Sequence, residues 1–382
     1  MSMEHMLHWL WLTSKFNGAN IKIAQLADFF GGVDEVYASH TFHNLDLTEK
    51  EKRLLNDKDL SGAERICEEV ARIGGKIIAI DDENYPKLLK QIHTPPSVLY
   101  IKGMVPSLDD VLTIGVVGTR DMSVYGRVVT ERLCLNLARA GAVTVSGMAA
   151  GIDSVGAWAT IEEGGIAVGV LGCGIDVVYP AENAELYMRV AERGCIMTEF
   201  PPGTPPYKGN FPVRNRIIAG LSRGVLVAEA PEDSGALITA RLAMEEGRDV
   251  FAVPRNISDV RYSGTNKLIQ QGAKLITHPN DILCEYPYAK RIEVKKPPEK
   301  RETRINRTEP ALKKTETKTN EKIDTLEGQD REIVMLLTER NMQIDEISRT
   351  TNMPISELNT KLIMLEMKGI VKKLPGSSYG LK

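Results

Sequence analysis

Lys208, Phe211, Arg214 and Arg216 crowd into one short stretch, Lys-Gly-Asn-Phe-Pro-Val-Arg-Asn-Arg, with Asn215 between the two arginines. Such a set suits one kind of chemistry. Ammonium and guanidinium groups pair with phosphates, an aromatic face takes an unstacked base, and neither contact depends on which base it is. A platform for a single nucleic-acid strand is therefore one reading of residues 208–222, taken as a loop. The plainer reading makes Phe211 the start of a core helix, with the arginines capping it or paired with acids.

Two glycine turns lie upstream. Val116-Val-Gly-Thr-Arg120 closes an apolar run, which puts Gly118 in a tight turn and Arg120 just beyond a strand end. In Ser146-Gly147-Met-Ala-Ala-Gly151-Ile-Asp153 the missing side chains would let backbone N–H groups reach an anion at a helix N-terminus. Together these turns and Arg120 form a candidate phosphate grip. Neither carries the Gly-Lys-Ser/Thr of a nucleotide-binding P-loop, and Gly169-Val-Leu-Gly-Cys-Gly174 has the wrong order for a dinucleotide fingerprint. No cofactor is expected. No histidine occurs between His93 and His278, which removes the commonest general base. Asp153 and Glu199 are candidate acids or bases, yet each is equally a carboxylate that steadies a helix terminus. Binding without turnover is the expectation, and an enzyme that hydrolyses nucleotides is the alternative to be tested.

The elements that must position these residues alternate. Apolar runs at Leu112–Val117, Ala142–Val145, Ile166–Leu171, Cys195–Thr198, Gly224–Ala228 and Asp249–Val253 are separated by helical patterns such as Gly126–Ala140 and Ile152–Glu163. Fully apolar strands linked by helices predict an α/β fold with an open, mostly parallel, Rossmann-like sheet, its site at the carboxyl ends of the strands. Gly74–Ile80 and Pro95–Ile101 predict two edge strands joined by a short helix near Tyr85–Leu89. Residues 1–70 predict a small helical domain. Residues 71–288 predict the extended sheet domain, and residues 289–322, rich in Lys, Arg, Glu, Thr and Pro, a solvated linker. Residues 323–382 show three short helical patterns, Arg331–Thr338, Ile344–Thr350 and Ile355–Lys368, before a hairpin, which predicts a winged helix.

Five blocks in order, Ile114-Gly-Val-Val-Gly-Thr-Arg120, Val145–Asp153, Lys208–Ser222, Ser234-Gly-Ala-Leu-Ile-Thr-Ala240 and Val250-Phe-Ala-Val-Pro254, resemble the DNA-processing protein A (DprA, or Smf) family. The resemblance covers about residues 75–285. It implies single-stranded DNA and RecA as partners, a homodimer with two pockets, and a role in natural transformation and recombination. It also implies that Arg120, Lys208 and Phe211 occupy a pocket, with Asn215 and Arg216 in the same block. The Lys15-Phe-Asn-Gly-Ala turn is similar to the helix-hairpin-helix or SAM-like modules at the front of the family, though it lacks their Gly-x-Gly. The dimer surface is not legible; Leu268, Ile269 and Leu275 are apolar candidates for which core burial is the plainer reading. A competing class is a regulator whose winged helix reads duplex DNA while the sheet domain senses a nucleotide.

Charge is unevenly spread. The formal net charge is −3, but residues 289–322 carry 12 basic and 6 acidic side chains, whereas residues 1–70 carry 7 and 12. A near-neutral total can thus hide a local binding surface. The winged-helix segment carries Lys361, Lys368, Lys372 and Lys373, but its 8 basic and 9 acidic residues leave it a poor groove binder, so protein contact is at least as fitting. Five cysteines without a Cys-x-x-Cys pair suggest neither a zinc site nor a disulfide framework. With no signal-peptide pattern and no stretch of ~20 apolar residues, a cytoplasmic protein without a membrane span is expected.

Overall fold

The computed structural model describes residues 2–16, 21–42, 46–106, 108–292, 294, 328–339, 342–351, 353–367, 370–374 and 378–381. The chain divides into two units, Met1–Lys300 and Arg301–Lys382.

The first unit is built on nine strands: β1 (Lys76–Ala79), β2 (Val98–Gly103), β3 (Thr113–Val117), β4 (Val143–Ser146), β5 (Ala167–Val170), β6 (Cys195–Thr198), β7 (Gly224–Val227), β8 (Asp249–Ala252) and β9 (Lys274–Leu275). Their spatial order is β1-β2-β6-β5-β4-β3-β7-β8-β9. From β6 through β9 every neighbouring pair is parallel, while β2 runs antiparallel to both β1 and β6. The chain winds from β3 out to β6, then returns to lay β7 on the other side of β3. That reversal opens a crevice beyond the carboxyl ends of β3 and β7, the usual ligand site of an open α/β sheet.

Strands β3 to β7 are buried at every position because helices cover both faces. The helices of the first unit are α1 (Met3–Lys15), α2 (Ile21–Phe30), α3 (Val33–Ala38), α4 (Glu49–Asn56), α5 (Ser61–Arg72), α6 (Lys87–Lys90), α7 (Val124–Arg139), α8 (Ile152–Glu162), α9 (Ala184–Arg193), α10 (Asn210–Leu221), α11 (Gly235–Glu245), α12 (Gly264–Gln270) and α13 (Asn280–Leu283). The period-2 alternation of β7 shows the sorting: Val225 and Val227 join a core with Ile217, Leu221 and Ala240 of α10 and α11. Leu226 and Ala228 join another with Leu133 and Leu137 of α7 and Ile152 of α8. The amino-terminal helices form a third core around Trp9, Leu12 and Leu26, which takes in Ala79, Val98 and Tyr100 from β1 and β2. The helical module thus packs on the antiparallel edge of the sheet.

Four expectations need correction or completion. Residues 210–221 are helix α10 and not loop, since Pro212 falls in the first turn, where its missing N–H costs nothing. The expected linker does not begin at residue 289: Lys290 bridges to Val111 and pairs with Asp110 at 3.1 Å, and the Ile292 N–H donates to the Gly141 carbonyl at 2.9 Å. Most of the rest of that segment, like residues 17–20 of the expected hairpin turn, lies outside the described residues. Finally, β9 is too short for its two residues to show a strand pattern.

In the second unit, α14 (Gly328–Glu339), α15 (Ile344–Thr351) and α16 (Ile355–Met367) surround a sheet of β10 (Met342–Gln343), β12 (Ser378–Leu381) and β11 (Val371–Leu374) in that spatial order. Ile333, Val334, Leu358, Leu362, Ile370 and Tyr379 form its core, giving the expected winged helix. Lys361 on α16 is spent on Asp330, 3.0 Å away, while Lys368 and the Lys373 side chain lie outside the description. Among the described residues no helix is long and apolar enough to cross a membrane, and no group of three or more His, Cys, Asp or Glu could hold a metal ion.

Candidate nucleic-acid interface

Two adjoining cavities fill the crevice at the strand ends. The larger, about 570 Å³, is lined by the β3 turn with Arg120, by Lys208 and Phe211, and by the start of α11 at Ser234 and Gly235. The smaller, about 200 Å³, lies beyond Phe211 and is walled by Leu171, Gly172, Cys173 and Tyr179. Arg120, Tyr179, Phe211 and Arg214 border both. The structure therefore brings together residues separated by nearly a hundred positions of chain.

Arg120 and Lys208 are both exposed, and among the described residues neither pairs with a carboxylate. The backbone around Arg120 is fixed on both sides. Thr119 donates its N–H to the Glu229 carbonyl at 2.8 Å and accepts from the Ile152 N–H at 3.1 Å, while the Tyr262 hydroxyl donates to the Asp121 carbonyl at 3.0 Å. The Arg120 guanidinium lies 5.5 Å from the centre of the Phe211 ring. That ring packs over Gly172, where a Cβ would come within 2.8 Å of it, and meets Tyr179 at 5.4 Å between centroids. Phe211 is half-buried, so it is at once a packing residue and a wall of the site.

The glycine turns do something other than expected. The Gly147 N–H donates to the Asp153 carboxylate at 2.9 Å, and the backbone N–H groups of Ala149 and Gly118 act on the same carboxylate. Asp153 thus occupies, as an internal anion, the seat proposed for a phosphate. Full burial pushes its carboxyl up to about 6, against the pull of Arg214 and of the three amides. Ser146 is buried, its hydroxyl turned to the Met148 N–H at 3.4 Å. Gly151, at φ +81°, serves close approach: a Cβ there would sit 2.3 Å from the Thr119 carbonyl, so only glycine lets the β3 and β4 turns touch.

The helix also sorts the arginines. Arg214 is only 4% exposed; it donates to the Gly147 carbonyl at 2.8 Å and to the Val170 carbonyl, tying the ends of β4 and β5. Burial lowers its pKa to about 10 although Asp153 stands opposite. Arg216, two residues on, faces away from the crevice into a buried pair with Glu199 at 2.5 Å. It is therefore not a strand contact, and burial raises the Glu199 carboxyl despite that partner. Asn215 holds the middle ground: its side chain accepts from Arg214 at 3.2 Å, donates to the Gly235 carbonyl at 3.5 Å, and borders the larger cavity. The sequence reading missed Tyr179, an isolated aromatic with no pattern around it. Ser234 and Gly235 also line the larger cavity, though their uncharged block carries no sign of it in the sequence.

Comparison with known proteins agrees with this architecture. The DNA recombination-mediator protein A family matches residues 76–287, and the DprA winged helix domain matches residues 317–377. The DNA processing protein DprA of Bacillus subtilis is 45% identical over 214 residues, which is 56% of this chain and 72% of that one. Among solved structures, DNA processing protein A from Streptococcus pneumoniae superposes with a TM-score of 0.65 at 34% identity, over 73% of this chain and 97% of that one. The Helicobacter pylori protein, whose structure was described for its single-stranded DNA binding mode, gives 0.51 at 30% identity over 56% and 95%.

Proposed function

The chain belongs to the DNA recombination-mediator protein A family, and from that premise we propose that it holds single-stranded DNA at the crevice between β3 and β7. The observation that carries this reading is the pair of exposed cations, Arg120 and Lys208, which line one cavity with Phe211 and, among the described residues, pair with no carboxylate. They suit phosphates of one strand, and the Phe211 and Tyr179 rings suit its bases, a contact worth about 1–3 kcal/mol per base and indifferent to sequence. Asn215, Ser234 and Gly235 edge the path as polar neighbours.

We infer further that the protein works by holding and not by turnover, protecting incoming strands and assisting RecA to assemble on them. Asp153 borders the larger cavity but is held by three amides beside Arg214, and Glu199 is spent on Arg216, so neither candidate acid or base is free to act on a bound strand. A grip of two cations per chain is weak, and pairing two copies would multiply it through linked sites. Leu275, 46% exposed, remains a candidate for such a dimer surface, whereas Leu268 is core. The nucleotide-sensing alternative is disfavoured because Asp153 fills the anion seat.

The test is a titration of matched single- and double-stranded oligonucleotides, with and without residues 301–382. Strand-selective binding that survives the truncation supports the reading. Binding that prefers duplex, or that vanishes with the winged helix, overturns it. For RecA, the measure is filament assembly on strands precoated with a competing binding protein, with Arg120→Ala expected to lose the effect.

A further inference from the structure

Glu229 lies just beyond the carboxyl end of β7, fully buried, and lines neither cavity of the crevice. It nevertheless holds both ends of the turn that carries Arg120. At the front of the turn its carbonyl accepts the Thr119 N–H at 2.8 Å. At the back its carboxylate accepts the Ser123 N–H at 2.7 Å and the Ser123 hydroxyl at 2.5 Å. Ser123 is also the cap of α7, its side-chain oxygen accepting the Gly126 N–H at 3.0 Å. A Cβ at Gly126 would overlap the Glu229 carboxylate, so the start of α7 is closed down on it.

The counter-charge comes from the loop after β8, where the Arg255 guanidinium lies 3.0 Å from the Glu229 carboxylate. That guanidinium is itself fixed, 4.6 Å from the centre of the Tyr125 ring and 5.0 Å from that of Tyr262, and it pairs with Asp259 as well. Tyr262 then ties the middle of the turn through its bond to the Asp121 carbonyl. Thr119, Asp121 and Ser123 are thus all anchored, and Arg120 stands exposed among them.

We propose that Glu229 is a positioning residue for DNA binding, which presents Arg120 to a phosphate without itself touching the strand. The inference rests on the reading of the crevice as a single-strand site. A buried carboxylate is costly unless it is paired and hydrogen-bonded, and the donors that satisfy this one come from Ser123 and Arg255. The turn therefore cannot shift without stripping Glu229 of its partners. An arginine on a loose turn would surrender backbone freedom when a phosphate fixed it, whereas a turn fixed in advance has little left to lose.

The experiment measures single-strand affinity of the full chain by fluorescence anisotropy across a salt series, at a temperature where thermal unfolding shows each variant folded. Glu229→Gln keeps the volume and one acceptor but loses the charge. It should weaken binding and flatten the slope of log affinity on log salt by up to about 0.7, the share of one phosphate contact. Ser123→Ala, which removes the hydroxyl bond and leaves the N–H bond, should show a smaller loss of the same kind. On an Arg120→Ala background Glu229→Gln should weaken binding no further, and on a Lys208→Ala background it should take its full toll, a pattern that general loosening of the fold would not produce. Wild-type affinity and slope in folded Glu229→Gln, or in Ser123→Ala if the first variant does not fold, overturns the proposal. So does a loss of equal size with and without Arg120. If Arg120→Ala alone leaves binding unchanged, the strand reading of the crevice falls first and the positioning role falls with it.

Discussion

Arg120 stands over the face of Phe211, its guanidinium carbon 5.5 Å from the ring centre, so the cation and the aromatic of the crevice are arranged against each other. A contact of this kind is worth about 0.5–1 kcal/mol at an exposed site. It holds the guanidinium near the cavity mouth and reduces the entropy lost when a phosphate arrives.

Salt dependence measures how many cations take part. With Arg214 and Arg216 committed inside the protein, Arg120 and Lys208 remain, so the slope of log affinity on log salt should be about −0.7 × 2, or −1.4 per chain. Affinity should then fall about sevenfold between 50 and 200 mM salt. Arg120→Ala and Lys208→Ala should each flatten the slope by about 0.7, and Arg216→Met should leave it unchanged. Fluorescence anisotropy with a labelled oligonucleotide across a salt series checks this.

Phe211→Ala separates stacking from packing. Binding should weaken by about 1–3 kcal/mol with the salt slope preserved, because stacking releases no counterions. The ring also covers Gly172, so some stability is lost as well. Half-burial keeps that cost below the ~3–5 kcal/mol of a fully buried phenylalanine. Thermal unfolding recorded beside the binding titration distinguishes the two losses.

Arg214→Met should cost about 1–3 kcal/mol of stability for each buried carbonyl it leaves unpaired, Gly147 and Val170, and it removes the cation that favours the charged form of Asp153. Adding Asp153→Asn to that variant should recover part of the loss. Denaturant unfolding of the two single variants and the double decides it; strictly additive costs would show that the pair is not coupled.

The helical module carries its own pH signature. His5 places Nδ1 2.7 Å from Asp34 and Nε2 2.8 Å from Asp81, a geometry that two carboxylates impose on a doubly protonated ring. Burial works against the charge, but the two carboxylates prevail and raise the His5 pKa. A raised histidine pKa gives stability that is full below the unfolded value of about 6.5 and is lost as pH rises through the folded value. For partners this exposed the swing is about 0.3–1 kcal/mol. Melting temperature measured from pH 6 to 9 should fall in the wild type, and His5→Gln should flatten that part of the curve.

The strands of the sheet were legible because β3 to β7 are continuous apolar runs between helical patterns, a signal that needs no tertiary context. The roles of Arg214 and Arg216 were not. Spacing along a chain says nothing about which face of α10 turns to solvent, and residues two apart on a helix point in different directions. The same limit applies to Gly147: a missing side chain announces a free approach to the backbone, but the approaching group is Asp153, six residues on, and not an external phosphate. The exposure of Arg120 and Lys208 was readable because both lie in turns outside helices and strands, whereas Phe211, at a helix start, is half-buried.

Asp153 carries a consequence for competition. A free nucleotide entering the crevice finds the amides of Gly118, Gly147 and Ala149 already held by the chain's own carboxylate, and so has only the contacts of Arg120, Lys208 and the rings for one base and its phosphate. Adding abundant mononucleotide to a preformed complex should therefore displace little DNA. On the proposed reading a strand would bind differently, through several linked phosphates and bases at the rim, and its occupancy would be insulated from the energy state of the cell.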